Sequence, residues 1–282
     1  MKHIICYSGG HSSGVVALNV AAKFGTDDLI LLNHNINPKK EDADIKRFKI
    51  ELAAKIGVPI TYANIQDLPE SELPTQFDVC HEAGTITSLS GDAICTHRLK
   101  TEPFERYLRK HLFNTMFGEN CVIYYGFDAA EMDRINRRKQ ILGAMGYASE
   151  FPLAFWKDLT YNSTDDVGVP PPGTYTVWKH ANCKGCLKGG PLHWYVTYVN
   201  DYESFCEGEA LEDEMDYALN RQIIAGQKYP LFLRQLRCVF GQMVIDNVPA
   251  TEHQSPNKFF NLMKKKYGLD ASNTVKPCQC TI

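Results

Sequence analysis

His3-Ile4-Ile5-Cys6-Tyr7-Ser8-Gly9-Gly10-His11-Ser12-Ser13 is the stretch from which the rest of the chain is read. The apolar run His3 to Tyr7 stops at a Gly-Gly pair. From Ser12 to Phe24, apolar residues then stand at Val15, Val16, Leu18, Val20 and Ala22, and Gly25 ends the pattern. This is the pattern of a strand, a glycine loop and a helix. Leu29-Ile30-Leu31-Leu32 is short and uniformly apolar, as a strand covered on both faces must be. Glu41 to Ile56 is amphipathic at helical period and ends at Gly57, and Val58 to Ala63 reads as a third strand. The βαβαβ order predicts an α/β fold with a doubly wound parallel sheet and right-handed crossovers.

Beyond this unit, Gln66 to Asp92 is rich in Pro, Ser, Thr and Gly and reads as a long loop beside the carboxyl edge of the sheet. Arg98 to Phe113 reads as a helix and Cys121 to Gly126 as a fourth strand. The texture changes after Tyr147, and Pro170-Pro171-Pro172-Gly173 is a clear loop signal. A boundary near residue 150 is expected. It separates a nucleotide-binding α/β domain, 1–150, from a smaller, mostly helical, cysteine-bearing region, 151–282. Helical stretches are expected around Glu209 to Ala225 and Leu231 to Val244, and no regular helix over Val275 to Ile282.

At 282 residues, with 44% hydrophobic and 22% charged residues, the chain has the makings of a large core. Thirty basic against 33 acidic residues leave a net charge of -3, so no overall field draws it to nucleic acid, and such a partner needs a local basic patch. The N-terminus lacks the apolar stretch of a secretory signal, and no apolar run reaches the 18 or so residues of a membrane span. Ten cysteines without an export signal read as thiols, metal ligands or redox groups, which places the chain in reducing cytoplasm. Its oligomeric state is open.

A loop carrying Ser8, Gly9, Gly10, His11, Ser12 and Ser13 between strand and helix has the parts of an anion site. Glycines let a ligand approach the backbone, hydroxyls and N–H groups donate, and the helix N-terminus carries positive partial charge. It has neither the Gly-Lys-Ser/Thr ending of a Walker A loop nor a Rossmann G-x-G-x-x-G. Asn33, at the end of the second strand, and Arg98 join this loop as nucleotide-binding candidates. Cys183-Lys184-Gly185-Cys186 is a C-x-x-C, whose two thiolates can share a metal ion or cluster or form a redox dithiol. Further ligands would come from Cys95 or from Cys278-Gln279-Cys280, whereas Cys6 and Cys121, inside strands, read as inert core thiols.

Ser-Gly-Gly-His-Ser-Ser after an N-terminal strand resembles the SGGxDS signature of the PP-loop ATP pyrophosphatases. That group includes adenylating synthetases, tRNA sulfur-insertion enzymes and phosphoadenylylsulfate reductases. Ser12 stands at the usual Asp, so the loop brings no carboxylate to Mg²⁺. Cys95-Thr96-His97-Arg98-Leu99-Lys100-Thr101-Glu102-Pro103 resembles the Cys-Cys-x-x-Arg-Lys-x-x-Pro segment of assimilatory sulfonucleotide reductases, with Thr96 in place of the second Cys. Gly126 to Arg134 is similar to the Gly-x-x-x-x-Glu-x-x-Arg segment of the same branch. His180 to Gly190, with His193-Trp194, resembles reductase-like and DNA-phosphorothioation-type relatives.

The resemblance implies an enzyme that binds ATP and Mg²⁺, cleaves ATP between the α and β phosphates and adenylates an acceptor, with Lys100, Arg134 and Cys95 as the catalytic candidates. It also implies a [4Fe-4S] cluster on Cys95, Cys183 and Cys186 that delivers sulfur from a donor protein to tRNA, DNA or a free nucleotide. Two alternatives stay open. One is a sulfonucleotide reductase using Cys278 or Cys280 as a tail thiol, and the other is a nucleotide-binding protein stabilised by Zn²⁺ on Cys183, Cys186, Cys278 and Cys280.

Overall fold

The computed structural model of the chain describes residues 1–89, 91–112 and 121–271. Strands β1 (Lys2–Cys6), β2 (Leu29–Asn33), β3 (Ile60–Tyr62), β4 (Cys121–Tyr124) and β5 (Ala148–Glu150) form one sheet in the order β3-β2-β1-β4-β5, every neighbouring pair parallel. Ile4 pairs with Ile30 on one side and Ile123 on the other, which fixes the centre of the register. Because successive side chains of a strand point to opposite faces, β1 feeds two cores. Ile5 and Tyr7 join Val16, Val20, Phe48 and Leu52 from α1 (His11–Phe24) and α2 (Ala43–Ile56). Ile4 and Cys6 face the other way and meet Phe104, Leu108, Ile135 and Leu142 from α5 (Glu102–Leu112) and α6 (Met132–Ala144). Helices thus cover both faces, as the uniformly apolar strands require.

The expected loop over Gln66 to Asp92 contains a helix, α3 (Gln76–Ala83). Thr75 and Asp78 form a capping box that starts it, each side chain taking the other's backbone N–H. Before α5, the turn α4 (Ile94–Thr96) runs into one π-helical turn, His97–Thr101, that leads into α5 without a break. The fifth strand, β5, falls where the texture changes, and it was not legible because three residues leave no periodicity to read.

After the short α7 (Pro152–Phe155), a third core gathers α8 (Pro191–Asn200), α9 (Tyr202–Met215), α10 (Leu233–Ile245) and α11 (Pro256–Tyr267) around Trp194, Phe205 and Phe240. It also takes in Phe77, Val79 and Cys80 from α3 and Cys95 from α4, while Phe151 and Val169 pack into the cores of the sheet. Packing therefore crosses residue 150 in both directions. The helix expected over Glu209 to Ala225 ends at Met215, where Asp216 takes a left-handed conformation. Asn220–Ile224 (β6) and Gln227–Leu231 (β7) then form an antiparallel hairpin. Ala225-Gly226, both at positive φ, make the two-residue turn that such a hairpin favours. Leu231 accordingly ends β7, and α10 begins at Leu233. No helix among the described residues is long and apolar enough to cross a membrane. The tail, with Cys278 and Cys280, lies outside the described residues.

Candidate functional site

A cleft of about 260 Å³ opens at the carboxyl ends of β1, β2 and β4, where the strand order reverses and open α/β sheets bind their ligands. Ser8, Gly10, Ser12 and Ser13 line it. The loop is braced from within: Ser13 Oγ donates to the Gly10 carbonyl at 2.8 Å, and the Gly10 N–H reaches Ser8 Oγ at 3.4 Å. Gly126, following β4, lies against the first turn of α1 so closely that a Cβ there would sit 2.9 Å from the backbone of Ser12 and Ser13. Only glycine allows β4 and the loop to close up in this way.

Lys100 and Arg134 enter the same cleft from different elements, Lys100 from the π-helical turn and Arg134 from the first turn of α6. Arg134 pairs with Glu131, the one carboxylate lining the cleft among the described residues, and its guanidinium lies 4.3 Å from the centre of the Phe127 ring. Cys6 is at the cleft too, with burial pushing its thiol up to about 12, so it is inert, as its place in a strand implies. Cys121 is likewise buried and its thiol raised by burial.

Other candidates serve different ends. Asn33 donates to the Tyr7 carbonyl at 2.5 Å, tying β2 to β1, and does not line the cleft. Gly9 packs on α2 beneath the loop, near Ile45 and Lys49. His11 turns its ring to Ser163 at 3.3 Å, and only its backbone N–H faces inward. Arg98 is exposed on the π-helical turn.

Sequence reasoning missed the roof. A strap from Gly173 to Asn182 crosses the loop and lines the cleft with Tyr175, Lys179, His180, Ala181 and Asn182. It is held by Glu252, far along the chain. The Glu252 N–H donates to the Val177 carbonyl at 2.9 Å, and its carboxylate accepts the Lys179 N–H at 3.0 Å, His180 Nε2 at 3.2 Å and His193 Nδ1 at 2.9 Å. Burial alone would raise this carboxyl, but the hydrogen bonds from His180 and His193 outweigh it and hold it well below the usual carboxylate range.

His180, His193 and Glu252 are the only group among the described residues with three ligating atoms within 4.8 Å of one another. The hydrogen bonds nevertheless define a clamp. The Cys186 N–H donates to His193 Nε2 at 3.1 Å, so Nε2 is the acceptor and Nδ1 carries the proton that faces Glu252. A metal on Nδ1 would require a protonated Nε2 pointing at another N–H. The Asn182 N–H likewise donates to His180 Nδ1 at 3.3 Å, leaving the Nε2 proton for Glu252.

The C-x-x-C turn follows the strap directly. Gly185 has φ +65°, and a Cβ there would stand 2.9 Å from Ser204 Cβ and 3.1 Å from Phe77 Cζ, so the turn is wedged between α3 and α9. Gln76 donates to the Lys184 carbonyl at 2.6 Å, and the Lys184 N–H to the Lys40 carbonyl at 2.9 Å. Cys183 is half-buried beside Asn182, and Cys186 is buried. Cys95 is buried in the core that contains Leu187 and Phe77, with α3 packed on its helix. The three sulfurs do not gather within 4.8 Å, whereas one zinc at about 2.3 Å from each would bring them to about 3.8 Å. A cluster, whose thiolates bind different irons, spreads its ligands more widely.

One further side chain went unread. His34, one residue beyond β2, lines the cleft with its ring, and its Nδ1 donates to the Ala63 carbonyl on the β3 side. Its Nε2 has no hydrogen-bond partner. Burial, with the charges of Lys100 and Arg106, pushes its pKa down to about 4 despite the bond to Ala63. Its place just past a strand's carboxyl end is the signal that could have found it. Tyr175 and Glu252 carry no such signal. No family model, no curated protein and no solved structure matches the chain.

Proposed function

We propose that the chain is a PP-loop-type ATP pyrophosphatase that adenylates an acceptor and passes sulfur to it. The observation that carries this reading is the convergence of Ser8 to Ser13, Lys100 and Arg134 on one cleft at the reversal of the strand order. In this reading the loop N–H groups and hydroxyls hold the phosphates. An acceptor oxygen bonds to the α phosphorus as the bond to the β-phosphate oxygen breaks, and pyrophosphate leaves. Lys100 and Arg134 offset the charge that builds on the phosphates, an electrostatic contribution fixed in advance by the fold. Mg²⁺ would find Glu131 as its protein carboxylate, because Ser12 replaces the acidic residue of the loop signature. A cluster would be held by Cys183 and Cys186 on their rigid turn, with Cys95 as third ligand, and would supply an open iron for sulfur. The acceptor is tRNA, DNA or a nucleotide; sulfur from a donor protein bonds to its adenylated carbon as the carbon–oxygen bond breaks and AMP leaves.

The test is a thermal-shift and pyrophosphate-release assay with Mg-ATP on wild type and Gly10→Val. ATP is expected to raise the melting temperature of wild type and not of the variant, because a Cβ at Gly10 would stand 3.2 Å from Tyr175 Oη and 3.6 Å from Ala181 Cβ. Absence of any shift with ATP, AMP or a sulfonucleotide at millimolar concentration overturns the reading. Iron content after anaerobic purification tests the cluster. Cys95→Ala and Cys183→Ala are each expected to lose iron, and zinc retained in Cys95→Ala removes the sulfur-transfer half.

A further inference from the structure

We infer that His34 selects the base of the bound nucleotide, its Nε2 accepting the N–H of an exocyclic amino group; this rests on the nucleotide reading above. His34 is 6% exposed and lines the cleft, and its Nε2 has almost no accessible surface of its own. Its Nδ1 edge is committed to the Ala63 carbonyl, so the Nε2 edge is what remains for a ligand. Nε2 has no donor among the described residues, and native structures leave few buried acceptors so without a reason. A donor arriving with a ligand supplies the missing partner.

The position suits a base. The pairing of Cys6 with Leu32 sets His34 level with Ser8, so a nucleotide whose phosphates lie on the loop passes the imidazole. Half-buried Ile36 lines the same cleft and offers apolar surface to a flat heterocycle, with Tyr125 and Phe127 buried in the wall. Burial keeps the ring neutral at ordinary pH, so Nε2 can accept and cannot donate. An amino group only donates, and the two match. A base with a carbonyl at that position would set lone pair against lone pair. A ribose hydroxyl is a weaker match, because it can turn its proton elsewhere.

Calorimetric titration of wild type with the Mg²⁺ complexes of ATP, ITP, purine riboside triphosphate and 2′-deoxy-ATP tests this. ITP carries a 6-oxo group, the purine riboside carries no substituent there, and the deoxy compound lacks one ribose hydroxyl. ITP is expected to bind at least about tenfold more weakly than ATP, the purine riboside triphosphate to fall between them, and 2′-deoxy-ATP to match ATP. His34→Phe is expected to bring ATP down to the ITP level while leaving ITP unchanged, and His34→Gln to restore part of the preference. Equal affinity of wild type for ATP and ITP overturns the inference and leaves the nucleotide reading standing. So does a loss confined to 2′-deoxy-ATP. Failure of all four to bind overturns both. The wild-type comparison holds even if a His34 variant does not fold.

Discussion

The backbone N–H of His11, in the first turn of α1, donates to the phenol oxygen of Tyr175 at 3.0 Å, joining residues 164 positions apart. With its oxygen accepting from the helix end, the phenol directs its own proton elsewhere, and the side chain lines the cleft. Tyr175 thus turns a backbone donor of the loop into a side-chain donor on the cleft.

Tyr175→Phe is therefore expected to weaken ATP binding by at least about tenfold, the worth of one hydrogen bond to a charged group, with little change in melting temperature. Titration calorimetry reads this directly. An unchanged or tighter affinity would show that the phenol only stands where the phosphate would sit.

The buried carboxylate of Glu252 accepts three hydrogen bonds that hold the strap. Glu252→Ala leaves the Lys179 N–H and the two imidazole N–H groups without an acceptor, and is expected to destabilise the protein by about 2–4 kcal/mol. Nucleotide affinity should fall with it, because the strap loses its anchor. Urea denaturation checks the first, and a variant as stable as wild type removes the clamp as a structural element.

Gly185→Ala sets a β-carbon against Ser204 and Phe77 at a backbone conformation that alanine resists. The expected outcome is a loss of about 2–3 kcal/mol together with a loss of bound iron, since the turn that spaces Cys183 and Cys186 must shift. Gly226→Ala, also at positive φ but with open space around it, is the control: it should lose about 1 kcal/mol and no metal.

The pH dependence of stability carries the signature of His34. Its folded pKa, about 4, lies below the ordinary value near 6.5, so the unfolded chain binds the proton more readily. The neutral form's contribution is complete above pH 6.5 and is lost as pH falls toward 4, on the order of 3 kcal/mol in all. His193, lowered by burial, acts in the same direction. Melting temperatures recorded from pH 7.5 to 4 should fall, and His34→Gln should flatten the curve. A variant with an undiminished slope would assign the dependence to other groups.

The sheet was legible because each of its first strands is followed at once by local punctuation: Gly9-Gly10 after β1 and Gly57 before β3 leave their marks within a few residues. Lys100 and Arg134 came to notice only because their segments resemble those of a known family, and both line the cleft. The helix at Gln76 was hidden by composition, since its capping box is made of residues that also fill loops. The hairpin at Asn220 was hidden because its apolar and polar residues also fit a helical repeat over so short a span, and a left-handed Asp216 decided the matter. Of the roof, only His180 to Asn182 fell in a segment marked by resemblance, and nothing marked it as a roof. Tyr175, His180 and Glu252 acquire their roles from contacts across 72 to 164 positions, and sequence periodicity carries no information over such separations.

The Glu252 clamp also sets an order of events during synthesis. The Ser8–Ser13 loop, the sheet and the two basic side chains of the cleft, Lys100 and Arg134, precede residue 151, and the strap follows by residue 182. A growing chain folds from its N-terminus, so a cleft with walls and no fixed roof exists until residue 252 has emerged. The segment that carries Glu252 therefore acts as the latch that finishes the cleft, and a chain terminated before residue 252 would carry the whole Ser8–Ser13 loop without the means to cover it.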